Sequence, residues 1–518
     1  MNLFKLRIFF SKTQSSSKTN RIYAIMRYKL KRGHKMLETI LLDDPAQNKL
    51  MLFKHMLELE QGLYPIHYFE KYTGFSHIKT ANLLNQMNQD LFDLETGYVL
   101  FTEKEKVQID GSLPKLHSYR QFLLQNSVPY QVLLATLLQP EMDLKEFGQL
   151  TDLSQSSLMR RLKPLVAYLK DKGIRLNCLQ MEVTGRESLV RIMYFNFLWM
   201  VDFGTELFQY FEKNNFDLHT LLDENDLIYL QYFEQREQII YQAISLLRTK
   251  HGHYIDEPEI NHFLYPAALN TRFKQKLAQD GVAETYRERE ANFVAYMIFY
   301  WPQYFSENDP RLPYVRKNYK SLTESKAKAA DFLAEMLPYF QNFPRNKQEL
   351  LLINYQTIFL RQQLFDGKAP KNLDFILESL KVQHPNYEIL QGYVANILAA
   401  KKSDDLVNLL TLVSLPQVER NEKTDKIKVG IIGFPNHFLL YSLINRIEDL
   451  PFVEYSLMNT TSNEQYDAII TCAASLVPAN NHQYWIVEGE GSFDATDDFL
   501  FRVFKEKQKK QKTALQLS

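Results

Sequence analysis

The chain has 518 residues, of which 45% are hydrophobic and 24% charged, with 61 basic residues balanced by 61 acidic ones. That length exceeds one ordinary core and predicts several domains, and the composition excludes a disordered chain. Zero net charge excludes attraction to nucleic acid by bulk charge, so any such contact has to be a local basic face.

Residues 1–35 carry ten Lys or Arg and no acid. They read as a disordered basic extension around Ser15–Ser17. Two origins stay open: translation starts at Met36, or the segment is a basic arm that touches DNA. Residues 36–112 read as a small helical unit ending in a hairpin. Pro65 and Gly74 bracket one helix, and Ser76 caps the next. In that second helix Leu83, Leu84, Met87 and Leu91 face inward at helical spacing. His77, Lys79, Asn82, Gln86 and Gln89 face outward and are residue types that meet phosphates and base edges in a major groove. The stretch 97–109 alternates like a β-wing.

Residues 113–188 repeat the plan. A short helix at Leu144–Leu150 and a turn at Thr151–Leu153 lead to Ser154, which caps a helix with Leu158, Leu162, Leu165 and Leu169 inside. Gln155, Ser156, Met159, Arg160 and Lys163 face outward, with Arg161 at the flank. Pro164 counts against an unbroken helix, because it removes a donor. A strand pair at 174–183 follows. Arg160, Arg161, Lys163, Lys170, Lys172, Arg175 and Arg186 make this the densest basic segment of the folded chain, suited to a salt-dependent phosphate contact. One helix-turn-helix alone is a weak signal. Two in succession, each with a capped second helix, a polar outer face and a wing, are a stronger one.

Two longer helical regions follow, 189–305 and 306–415, divided near Pro302, Pro310 and Pro313. The apolar run Ile192–Val201 is about half as long as a spanning helix needs and reads as buried. From 425 to 505 the pattern changes to an α/β domain, with strands expected at Lys428–Gly433 and Ala468–Thr471. Residues 506–518 read as a frayed basic tail. Plentiful Phe and Tyr (35 and 30) against only 17 Gly suit a mainly α-helical, multidomain protein.

The segments 75–94 and 144–191, the latter including DLSQSSLMRRLKPLVAYLKDKGIRLN and VTGRESLVR, resemble the paired winged helix-turn-helix domains of the Mga/AtxA-type virulence regulators of Gram-positive bacteria. The resemblance implies that 189–305 and 306–415 are phosphotransferase-system regulation domains. It also implies that 425–505 is similar to a sugar phosphotransferase IIB component and aids homodimerisation. It further implies a cytoplasmic transcription regulator, mostly of the activator kind, that responds to carbohydrate supply. Its histidines would accept phosphate from the phosphocarrier HPr or enzyme II proteins, and RNA polymerase would be a partner. The candidates are His219, His251, His253 and His384, and for each a plain surface or capping role stays open. His251 and His253 flank Gly252 in a polar stretch, yet no third ligand stands at convincing spacing for a metal. A working IIB component carries phosphate on a cysteine after its first strand. Here the loop GFPNHFLLYS has no cysteine, so that nucleophile is missing, and His437 within it has no assigned role.

Three other readings compete with a regulator bound to double-stranded DNA. An RNA-binding antiterminator would need an N-terminal β domain, and this N-terminus reads as helical. An enzyme would need a motif, and no Walker, dinucleotide, nucleophile-elbow or zinc pattern is present. A structural helical protein is the third. No cofactor and no membrane contact are expected. The two cysteines, Cys178 and Cys472, suit a reducing compartment.

Overall fold

The computed structural model describes residues 37–515 except 97, 104–105, 231–233, 258–259, 261, 341–344, 371–386, 402–403, 422–425, 435–436, 449, 451, 459–464, 479–482 and 488–492. The basic extension 1–35 and His384 therefore lie outside the described residues. The protein is mainly helical, with a small parallel sheet toward the C-terminus.

Two compact units result. One comprises residues up to Glu335 with Arg345–Val413, and the other Met336–Pro344 with the chain from Ser414 onward. In the first, α1 (Leu37–Leu41) and α2 (Asp44–Met56) open the fold. A strand β1 (Gly62–Pro65) then leads into α3 (Ile66–Thr73). Pro65 supplies the extended N-cap of α3, and Gly74 closes it in the left-handed conformation at φ 71°. Next comes α4 (His77–Leu91), capped by Ser76, whose hydroxyl accepts the Lys79 N–H at 3.4 Å. Strands β2 (Phe101–Glu103) and β3 (Lys106–Ile109) form the expected wing. Sequence periodicity did not anticipate that β1 also pairs antiparallel with β3, so the wing is a three-stranded sheet. Four residues before a helix carry too little alternation to announce a strand.

The second unit of the repeat runs through α5 (Leu116–Gln125), α6 (Val128–Leu138), α7 (Leu144–Leu150) and α8 (Gln155–Asp171). Asp143 and Glu146 form a reciprocal capping box at the start of α7. The hydroxyl of Ser154 accepts the Ser157 N–H at 3.3 Å at the start of α8. Pro164 lies inside α8, and the helix continues through it to Asp171. Its ring is exposed, and five buried side chains hold the opposite face, so packing outweighs the lost donor. Strands β4 (Arg175–Asn177) and β5 (Glu182–Thr184) pair antiparallel as the second wing.

The helix that follows, α9 (Glu187–Asp202), is buried along nearly its whole surface. It carries the apolar run Ile192–Val201, as its composition required. One apolar core extends from Leu37 to Ala369, so the two helix-turn-helix segments share it with the helices downstream.

In the other compact unit, β6 (Ile427–Ile432) pairs in parallel with both β7 (Val453–Leu457) and β8 (Ala468–Thr471). Strand β9 (Tyr484–Ile486) joins β8, giving the order β7-β6-β8-β9. Strand β6 is buried at five of its six residues, as a central parallel strand covered on both faces should be. The final helix spans Phe493–Leu515 and thus continues through the stretch expected to fray. The Lys, Glu and Gln there are good helix formers, and a polar composition hid that. No described helix is long and apolar enough to cross a membrane.

Candidate nucleic-acid interface

Helices α3 and α4 make the first helix-turn-helix, and α7 and α8 the second. Counted from the capping serines, Ser76 and Ser154, the two second helices align residue for residue. Thr80, Leu84, Met87 and Leu91 are buried in α4, and Leu158, Leu162, Leu165 and Leu169 occupy the same positions in α8. With 3.6 residues per turn, the line opposite that buried face runs through Ile78, Asn82, Asn85 and Gln89 in α4. In α8 it runs through Ser156, Arg160, Lys163 and Ala167. All eight are exposed. Gln86 is exposed just beside the first line, and Gln155 is exposed at the N-terminal edge of α8.

The flanking candidates have intramolecular partners. His77 Nδ1 lies 2.6 Å from Glu70 Oε1 across the turn. Lys79 Nζ sits 3.6 Å from the centre of the Phe75 ring, a cation–π contact. Both residues are exposed but stand at the sides of the outward line. Arg161 is half-buried, with Nη1 at 3.7 Å from Asp43 Oδ2, the residue that caps α2.

The basic segment divides in the same way. Arg160, Lys163, Lys170 and Arg175 are exposed, and no ion pair holds them among the described residues. Lys172 is instead buried, its ammonium 3.5 Å from Asp405 and near the Tyr168 ring. Arg186 donates to Glu257 and, at 2.6 Å, to the Leu364 carbonyl. Lys172 and Arg186 thus tie the second wing to the helical region, and sequence alone could not separate them from the free cations.

A buried charge network lies behind that wing. Arg191 is fully buried. Its guanidinium donates to Glu187 at 2.9 Å, to Ser245 at 2.9 Å and to both oxygens of Glu290. It also donates to the backbone carbonyl of His253 at 3.1 Å. Arg248 completes the set with two bonds to Glu187 and one to the Val183 carbonyl of β5. Burial raises the pKa of Glu187, but Arg248 and Arg191 overcome it and hold the carboxyl below its ordinary value.

The candidate phosphate acceptors are dispersed. His219 is exposed on a 3₁₀ turn, its ring 5.7 Å from Phe208. His251 ends the helix Gln235–Lys250, with Nδ1 4.0 Å from Glu141 Oε1. His253 is half-buried, and burial followed by the Arg248 charge lowers its pKa. Among the described residues no group of three or more His, Cys, Asp or Glu side chains is placed to hold a metal. In the α/β unit the side chain of His437 lies outside the description, and Cys472 is half-buried with its thiol pKa raised by burial.

Two capped second helices, each with an exposed outer line and a neighbouring strand pair, have the arrangement of winged helix-turn-helix units. Residues 114–198 match the family model of the Mga helix-turn-helix domain, which spans the second unit and most of α9. That segment is therefore similar to the helix-turn-helix domain of the Mga-type regulators. No curated protein matches the chain.

The sequence reading missed Ile78 and Asn85 as members of the outward line. A helical projection started at Ser76 would have found both.

Proposed function

We propose that the protein binds double-stranded DNA with α4 and α8 in major grooves and regulates transcription in the cytoplasm, as a homodimer. The observation that carries this reading is the exposed line Ser156, Arg160, Lys163 and Ala167 on α8, flanked by the free cations Lys170 and Arg175. Phosphate contacts of this kind release counterions, so affinity falls steeply with salt. Asn82 and Gln86 on α4 suit base edges, while the wings and basic residues hold the backbone. His77, Lys79 and Arg161 serve from the flanks, and Gln155 from the N-terminal edge of α8. The test is a titration of the full chain against duplex DNA and an RNA hairpin across salt concentrations. Duplex binding with a steep salt slope is expected. Preference for the hairpin would favour the antiterminator reading, and absence of duplex affinity at low salt would remove the assignment.

Regulation belongs to the same proposal. Residues 189–305 and 306–415 act as phosphotransferase-system regulation domains, and 425–505 as a non-catalytic IIB-like dimerisation module. The regulator works as an activator that reports carbohydrate status. Phosphate from HPr or an enzyme II protein reaches His219, His251, His253 or His384. His251 and His253 are the most suggestive, since the His253 carbonyl and the Ile255 N–H join the Arg191–Glu290 network, and Arg248 carries it to the second wing. A phosphoryl group there would add charge at the end of a buried ionic chain. Incubation with the general phosphotransferase enzymes, followed by mapping of acid-labile phosphate, tests this, and no labelling would defeat it.

A further inference from the structure

We infer that the first helix-turn-helix reads A·T base pairs, with the Ile78 side chain packed on a thymine methyl group. The inference rests on the DNA-binding reading above and gives the first unit a role distinct from the second.

The geometry at the start of α4 separates three neighbouring residues. His77 is turned to Glu70, and Lys79 is folded over Phe75. Ile78, between them, is 73% exposed. A single exposed aliphatic residue is unremarkable on a protein surface. This one, however, is the second residue of a helix whose N-terminal turn is the part that meets base edges in this motif. It also heads the line that continues through Asn82, Asn85 and Gln89.

That line carries no charge. Its chemistry is one branched apolar group followed by amides. In the major groove, thymine alone presents a methyl group, and adenine presents the N6–H and N7 pair that an Asn or Gln amide matches with two hydrogen bonds. An apolar group one turn ahead of an amide therefore matches adjacent A·T pairs. In α8 the equivalent positions are Ser156 and Arg160, so the second unit has no apolar group at that place and carries a cation where the first carries Asn82. The two units divide the work: α8 supplies charge-driven affinity, and α4 supplies readout of A·T pairs.

The experiment uses the full chain. Duplexes are selected from a random pool, and every thymine of the best duplex is replaced in turn by deoxyuridine, which lacks only the methyl. At one thymine the wild-type protein should lose about three- to five-fold in affinity, the equilibrium value of one buried methyl group. Ile78→Ala should lose a similar factor on the unmodified duplex and show no further loss on the uracil duplex. Its melting temperature should match that of the wild type, since the side chain is exposed. If no thymine distinguishes wild type from Ile78→Ala while both bind the duplex, the inference is wrong and the DNA-binding reading stands. If neither protein binds any duplex at low salt, both fall together.

Discussion

Arg160 and Arg161 are neighbours in sequence with different surroundings. Arg160 faces outward on α8, whereas Arg161 turns toward Asp43 at the flank of the helix. Arg160→Ala should weaken duplex binding by about 1–3 kcal/mol and, if its partner is a phosphate, flatten the log–log salt slope by about one. Arg161→Ala should have the smaller effect on binding, and its lost contact with Asp43 should cost at most about 1 kcal/mol of stability. Equal losses of affinity in the two variants, measured by the same salt titration, would contradict the separation. Glu237 offers a test by pH. Burial, helped by the nearby Glu234 charge, pushes its pKa up to about 7 against the attraction of Arg311. A carboxyl with a raised folded-state pKa gives stability that is full below its ordinary value, 4.5, and lost as the pH rises through about 7. Glu237→Gln should therefore be more stable than wild type at pH 8, by about 1–2 kcal/mol after allowance for solvent screening. Urea melts should show the difference shrinking to nothing near pH 4.

At the scale of the element, α8 holds a proline ten residues into its length. Pro164 has no N–H to give the Arg160 carbonyl, and its ring crowds that carbonyl. Pro164 is exposed, so an alanine there meets no packing demand. Pro164→Ala should raise stability by about 1–3 kcal/mol, given the propensity difference between the two residues. Denaturant midpoints check this. The paired capping devices act in the opposite direction. Ser76, Asp143 and Ser154 each accept a backbone N–H at the start of a helix of the two reading units. Such caps define where the turn ends, and thereby which residues head the outward line.

At the scale of the larger compact unit, the two helix-turn-helix segments and the helices behind them are built on one apolar core. The Arg191 network adds an ionic link, since it ties α9, the second wing and the loop at 253–255 in one buried cluster. Removing one member strands the others in an apolar interior. Arg191→Met should therefore cost about 3–5 kcal/mol, because Glu187 and Glu290 keep their burial and lose a charged partner. Denaturation followed by both tryptophan fluorescence and circular dichroism measures it. A loss under 1 kcal/mol would show that the network is not holding the unit together.

Local pattern was enough for much of this protein. Capping serines, leucines at helical spacing and the glycine stop at Gly74 announced the helices at 66–73, 77–91, 144–150 and 155–171, because caps and amphipathic faces are decided by residues a few positions apart. The buried run at 192–201 and the strands at 427–432 and 468–471 were legible for the same reason. The sequence alone could not sort the cations. Arg160, Arg161, Lys172 and Arg186 look alike in a string of letters, and their fates depend on Asp43, Asp405 and Glu257, which arrive from up to 233 positions away. Nor could it reveal that one core serves both reading units and the helices downstream. Charge pairing and burial are set by what folds against a residue, and that is information only the tertiary structure holds.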